Sequence, residues 1–83
     1  MNADEMFEKL GYEKEDETTE YVKYTKNIYE DVFQDIIFDL VHNLVNVVRE
    51  DRAFYRKITA ILSIEELQAI NKKVEELGWV ERN

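Results

Sequence analysis

The stretch YEDVFQDIIFDLVHNLVNVVR, residues 29–49, decides the fold, because it carries two incompatible hydrophobic patterns. Phe33, Ile36, Ile37, Leu40, Val41, Leu44, Val47 and Val48 recur at the helical period of 3.6 residues. Gln34, Asp35, Asp39, His42, Asn43 and Asn46 fall mostly between them. Read that way, the segment is one long amphipathic helix and the domain is all-α. Against this, Ile36, Ile37, Val41, Val45, Val47 and Val48 are β-branched, and Phe38 lies among them. Such side chains lose rotamer freedom in a helix and pack well on a pleated sheet. A hairpin turning at His42-Asn43 is equally self-consistent, since Leu40 then faces Val45 and Phe38 faces Val47 on one side. On the other side Val41 faces Leu44 and Ile37 faces Val48. Asn tolerates the left-handed conformation that such a turn requires. The residues of this segment leave both readings open.

The flanks are clearer. Residues 63–78 read as a capped amphipathic helix: Ser63-Ile64-Glu65-Glu66 is a capping box, and Ile64, Leu67, Ile70, Val74 and Leu77 recur at helical spacing. A shorter helix is expected from about Ala3 to Leu10, with Asn2 as its cap and Met6, Phe7 and Leu10 on one face. The chain has glycine only at Gly11 and Gly78, each directly after one of these helices and directly before an aromatic, Tyr12 or Trp79. A left-handed residue after the last helical turn strains glycine least, and the aromatic beyond it can fold back onto that turn. Tyr21, Val22, Tyr24 and Thr25 predict a strand over 19–27 with a turn at Lys26-Asn27. Ile58, Thr59, Ile61 and Leu62 predict another over 55–62 that runs into the Ser63 cap.

Composition narrows the class. Eighty-three residues with 45% hydrophobic side chains leave room for a single domain, 1–83. Without cysteine there is no disulfide framework and no thiolate metal site. The acidic start and the lack of a long apolar run predict a protein that is neither secreted nor membrane-spanning, with the cytoplasm of a bacterial host as its compartment. A formal charge of -8 disfavours direct nucleic-acid binding, which needs clustered Lys and Arg. Residues 13–20 hold five acids, Glu13, Glu15, Asp16, Glu17 and Glu20, against one lysine. The expectation is a solvated linker, and the sharper alternative an anionic surface offered to a basic partner.

The ending SIEELQAINKKVEELGW, residues 63–79, resembles that of a group of small uncharacterised phage and prophage proteins of Gram-positive bacteria. Leu10-Gly11-Tyr12 and Ile36-Ile37-Phe38-Asp39 are similar to the first-helix ending and the central strand of that group. The stretch 28–35 is longer and more apolar than theirs. The resemblance implies an α+β fold: a short N-terminal helix, an antiparallel sheet of three to four strands, and a C-terminal amphipathic helix packed on one face. It favours the hairpin over the long helix at about 29–49, and it brings no established activity.

Catalytic and metal chemistry finds no footing in the sequence. His42 is the only histidine, and no phosphate loop, paired-histidine helix or calcium loop occurs. Carboxylate pairs such as Asp35 with Asp39 arise by chance in so acidic a chain, and capping accounts for Ser63. Tyr21, Tyr24, Tyr29, Phe33, Phe54, Tyr55 and Trp79 could stack nucleobases, but only Arg49, Arg52, Arg56 and Lys57 form a local basic cluster. No enzyme, cofactor or metal is therefore expected. The hairpin reading makes both sheet faces apolar. With the last helix on one, the face bearing Ile37, Val41, Leu44 and Val48 needs the first helix or another chain, a protein partner or a homodimer mate. The expected role is a small accessory protein acting by protein binding. The alternative is an acidic inhibitor, a nucleic-acid-mimicking decoy for a host nucleic-acid-binding or defence protein.

Overall fold

Residues 29–49 form a hairpin. In the computed structural model, which describes residues 1–79, strand β3 (Val32–Asp39) buries Val32, Gln34, Ile36 and Phe38 and turns the residues between them outward. That two-residue alternation prevails over the helical period, and the all-α alternative is not adopted. Strand β4 (Leu44–Asp51) pairs antiparallel with it, Phe38 opposite Val45 and Ile36 opposite Val47. The expected register is thus off by two residues, because the loop is the four-residue stretch 40–43. A two-residue turn at His42-Asn43 would need positive φ at both positions, and only Asn43, at 55°, adopts it. Asp39 Oδ1 instead accepts from the Val41 and His42 N–H groups, both at 3.0 Å, which shapes the longer loop. An even shift leaves the paired strand residues on their expected faces, while Leu40 and Val41, expected within the strands, fall in the loop.

The sheet has five strands, in the order β1-β2-β3-β4-β5 with every neighbour antiparallel, against the three to four expected. The acidic stretch supplies the extra one. β1 (Glu13–Glu17) is an edge strand with all five residues exposed and a bulge between Lys14 and Asp16, so the solvated linker is a correction. Charge and a bulge on an edge discourage pairing with foreign strands. β2 (Tyr21–Tyr29) runs past the expected Lys26-Asn27 turn and reverses at Glu30, φ 44°. There Asn27 Nδ2 donates to the carbonyls of Glu30 (2.9 Å) and Val32 (3.2 Å). β5 (Arg56–Ile58) is shorter than the strand expected over 55–62.

Helices α1 (Ala3–Lys9) and α2 (Ile64–Glu76) both start at a capping box, Asn2 with Glu5 and Ser63 with Glu66. They also end alike. Gly11 (φ 92°) and Tyr12 donate to Glu8 and Phe7 carbonyls at 3.0 Å, and Gly78 (φ 73°) and Trp79 donate to Glu75 and Val74 at 3.0 and 3.1 Å. In this geometry the otherwise orphaned last carbonyls are met and the next side chain is returned to the helix. The helices run antiparallel: the Ala3 N–H donates to Glu76 Oε2 (2.8 Å) at one end, and the Tyr12 hydroxyl donates to Glu66 at the other.

Both helices lie on one face of the sheet and share a single core with it, comprising Ala3, Phe7, Tyr12, Val22, Tyr24, Ile36, Phe38, Ala69 and Ile70. Phe7 stacks on Tyr24 (4.2 Å between centroids) and meets Tyr12 and Phe38 edge-on, and Trp79 packs against Phe38. Such aromatic pairs add about 0.5–1.5 kcal/mol each beyond area burial. Ile64 and Leu67, in the first turn of α2, stay exposed. The inward position there belongs to Glu66.

Candidate functional site

With both helices on one face, no described element covers the other. That open face carries Tyr21, Lys23 and Thr25 from β2, Phe33, Asp35, Ile37 and Asp39 from β3, and Leu44, Asn46 and Val48 from β4. Its centre is polar and satisfied from within. Asp35 accepts from Thr25 Oγ1 (2.6 Å) and pairs with Arg52 (3.3 Å) and Lys23 (3.7 Å). The Arg52 guanidinium lies 3.9 Å from the Phe33 ring centroid. Nearer the 40–43 loop, apolar Ile37, Leu44 and Val41 alternate with Asp39 and Asn46. Ile37 and Val48 are half-buried on this face, Leu44 is 54% exposed, and Val41 is 63% exposed in the loop itself. A shallow hollow of about 290 Å³ opens there, its lining mixing Tyr21, Ile37 and Val41 with the polar Glu20, Asp39, His42 and Asn46.

Two of the five acids of 13–20, Glu15 and Glu17, are paired with cations. Lys14 bridges Asp4 (2.9 Å) and Glu17 (3.0 Å), Glu15 meets Lys23 (3.6 Å) and Arg52 (3.9 Å), and Asp16 accepts from the Tyr21 hydroxyl (2.6 Å). Among the described residues Glu13, Asp16 and Glu20 make no ion pair. Burial alone would raise the Asp4 carboxyl, but its bonds from Tyr24 and Lys14 prevail and hold it below the ordinary aspartate value.

A buried polar cluster ties the helices to the sheet, and sequence reasoning missed it. Gln34 is fully buried. Its amide nitrogen donates to the Ile61 carbonyl (3.0 Å), Tyr12 Oη (3.1 Å) and Glu66 Oε2 (3.2 Å), and its oxygen accepts from Arg49 Nε (2.8 Å). Glu66 meanwhile accepts from the Ser63 N–H through Oε1 (2.9 Å) and from the Tyr12 hydroxyl through Oε2. Burial works against its ionisation, yet the bonds from Tyr12 and Ser63 hold the carboxyl below its usual range. Burial and the facing carboxylate push the Tyr12 hydroxyl well up. Among the described residues no buried side-chain polar atom lacks a partner, so the cluster's buried groups are satisfied within the fold. The signal was present: once 32–38 is a strand, Gln34 shares its parity with Ile36 and Phe38.

The other candidates disperse. His42 is exposed and pairs with Asp39 (2.9 Å), and the Ser63 hydroxyl accepts from the Glu66 N–H (3.1 Å) as a cap. The seven aromatics do not form one surface: Tyr24 and Trp79 belong to the helix-covered core, Tyr21 and Phe33 to the open face, Tyr29 is exposed at the end of β2, and Phe54 and Tyr55 stand on the β4–β5 loop. Among the described residues no group of three or more His, Cys, Asp or Glu is placed to hold a metal ion, and no helix is long and apolar enough to cross a membrane. Compared with protein-family models, curated proteins and solved structures, the chain matches none.

Proposed function

We propose that this chain is a non-catalytic docking protein of the small phage accessory type, binding another protein surface, a second copy included, through its open sheet face. The supporting observation is the placement of both helices on the same face, which leaves Ile37, Leu44 and Val48 facing solvent beside Val41. Contiguous exposed apolar groups rimmed by charge are the usual composition of an interaction site. Two changes on this face, Ile37→Lys with Leu44→Glu, should leave folding intact and remove binding. The test compares wild-type and variant as baits in a host extract and in sedimentation equilibrium. A retained protein or a dimer that the variant loses is expected. Identical capture by both baits, together with a monomeric wild-type, would sink the proposal.

The decoy reading has weaker support. An anionic strand edge exists at β1, but Lys14, Lys23 and Arg52 already engage two of its four carboxylates, Glu15 and Glu17.

A further inference from the structure

The two edges of the sheet differ in what they offer a foreign strand. β1 is charged throughout and bulged. At the other edge β5 pairs only with Arg49, Glu50 and Asp51, so among the described residues 44–48 of β4 have a strand on one side alone. The strand expected over 55–62 would have filled that place, but β5 ends at Ile58 and the Ile61 carbonyl goes to Gln34 Nε2 (3.0 Å). The vacant stretch, Leu44-Val45-Asn46-Val47-Val48, holds no charge, proline or bulge, the devices by which natural sheets protect an edge. It is also preformed. Four-residue loops of one plan pin β4 at both ends: an Asp accepts through Oδ1 from the N–H groups two and three residues on, and the fourth loop residue takes positive φ. Asp39 and Asn43 (φ 55°) make the first loop. Asp51 and Tyr55 (φ 53°) make the second, with bonds from Ala53 (3.0 Å) and Phe54 (3.3 Å). Asn tolerates that φ, whereas a bulky Tyr is strained there. An edge held at both ends costs little further ordering when it pairs.

The backbone fixes which groups are unmet. The Arg52 N–H donates to the Asp31 carbonyl (2.9 Å), which extends the β3–β4 ladder, so even-numbered residues of β4 turn their N–H and C=O toward β3 and odd-numbered ones turn away. Val45 and Val47 therefore point two donors and two acceptors out of the sheet. We propose that a second copy meets them: the two β4 edges pair antiparallel about a two-fold axis at Asn46, joining two five-stranded sheets into one. The sequence of the slot selects this occupant. In that register Val45 of each copy lies opposite Val47 of the other, and their outward groups close four hydrogen bonds. These valines fall on the helix side, where they already pack against the core, and Leu44 meets Val48 on the open face. Asn46 faces its own counterpart, and each amide can donate to the other. Slipping the register by two residues would set Asn46 against Leu44 or Val48, and would bring the loop residue Asn43 or the already paired Arg49 into the ladder. A two-fold contact requires a self-complementary stretch of this kind. It lies in the plane of the sheet, separate from docking on the open face.

Sedimentation equilibrium over a concentration series, with amide exchange followed by NMR, reads this directly. Wild-type protein should dimerise and go no further, and the Val45 and Val47 amides should gain protection as the dimer forms. Val47→Pro removes one outward N–H from each copy without breaking a bond to β3, so it should keep its circular dichroism and raise the dimer dissociation constant roughly tenfold or more. Asn46 is exposed, and Asn46→Lys or Asn46→Asp sets like charges opposite each other at the two-fold axis. Each of these variants alone should dimerise more weakly than wild-type, and an equal mixture of the two should recover a heterodimer. The open-face variant Ile37→Lys should dimerise like wild-type. A wild-type that stays monomeric at every concentration overturns the proposal, as does a dimer that Val47→Pro leaves intact or a Lys and Asp mixture that recovers nothing. Loss of the dimer in Ile37→Lys would place the contact on the open face and overturn it too.

Discussion

The loop closed by Asn43 and the loop closed by Tyr55 share their length, their aspartate and their backbone, and differ in what stands at the strained position. Asn43 is a residue chosen by the turn. Tyr55 is tolerated by it. The difference teaches that loop geometry here is set by the aspartate and the four-residue spacing, so the fourth residue is free to serve another purpose where the aspartate is well supported. Asp51 has that support: it is 8% exposed and meets Arg56 as well as two backbone N–H groups, whereas Asp39 is half-buried at the rim of the open face and its extra partner is the exposed His42.

Removing that support should have the largest effect. Asp51→Ala leaves two loop N–H groups and Arg56 without their acceptor and should lower unfolding free energy by about 2 kcal/mol in urea titrations. Exchanging the closing residues comes next. Tyr55→Asn relieves the strain and should stabilise the domain by roughly 1 kcal/mol, and Asn43→Tyr should destabilise it by a similar amount. Equal stability for both exchanges would mean that the two loops do not share a strain. The smallest effect is electrostatic. The bonds from His42 and Val41 hold the Asp39 carboxyl below its ordinary value of 3.8. A depressed folded value contributes stability that is present above the unfolded value and lost as pH falls through the folded one. Carboxyl chemical shifts should therefore show Asp39 titrating below the exposed aspartates, and His42→Ala should move it back toward them.

Legibility followed the range of the interactions. The caps at Asn2 and Ser63 and the stops at Gly11 and Gly78 join residues three to five apart, so a short window of sequence contains both partners. The branched residues over 29–49 kept the hairpin open beside the long helix without choosing it, and its register was not readable, because the Asp39 side chain shapes a four-residue loop in place of a two-residue turn. Strand β1 was hidden for a different reason. Its EKEDE sequence has little strand propensity of its own, and it pairs because β2 offers a free edge, Lys23 and Arg52 meet Glu15 and the Tyr21 hydroxyl donates to Asp16 from elsewhere in the chain. Of the candidate interface, Ile37, Leu44 and Val48 could be assigned to one face by parity alone. Whether a helix covered that face could not, since nothing local tells α1 which side of the sheet to take.

The sequence by itself determined two capped helices and the glycine stops behind them, since each rests on backbone preferences and on hydrogen bonds made within about one turn. The tertiary structure decided the rest. It put both helices on one face by letting Glu66 join Tyr12 and Gln34 across three elements. It also made a strand of an acidic stretch, left the open face bare and raised Phe54 and Tyr55 into solvent. Those outcomes depend on which distant groups satisfy one another's charge and hydrogen bonds, and such pairings form only once the chain has closed on itself.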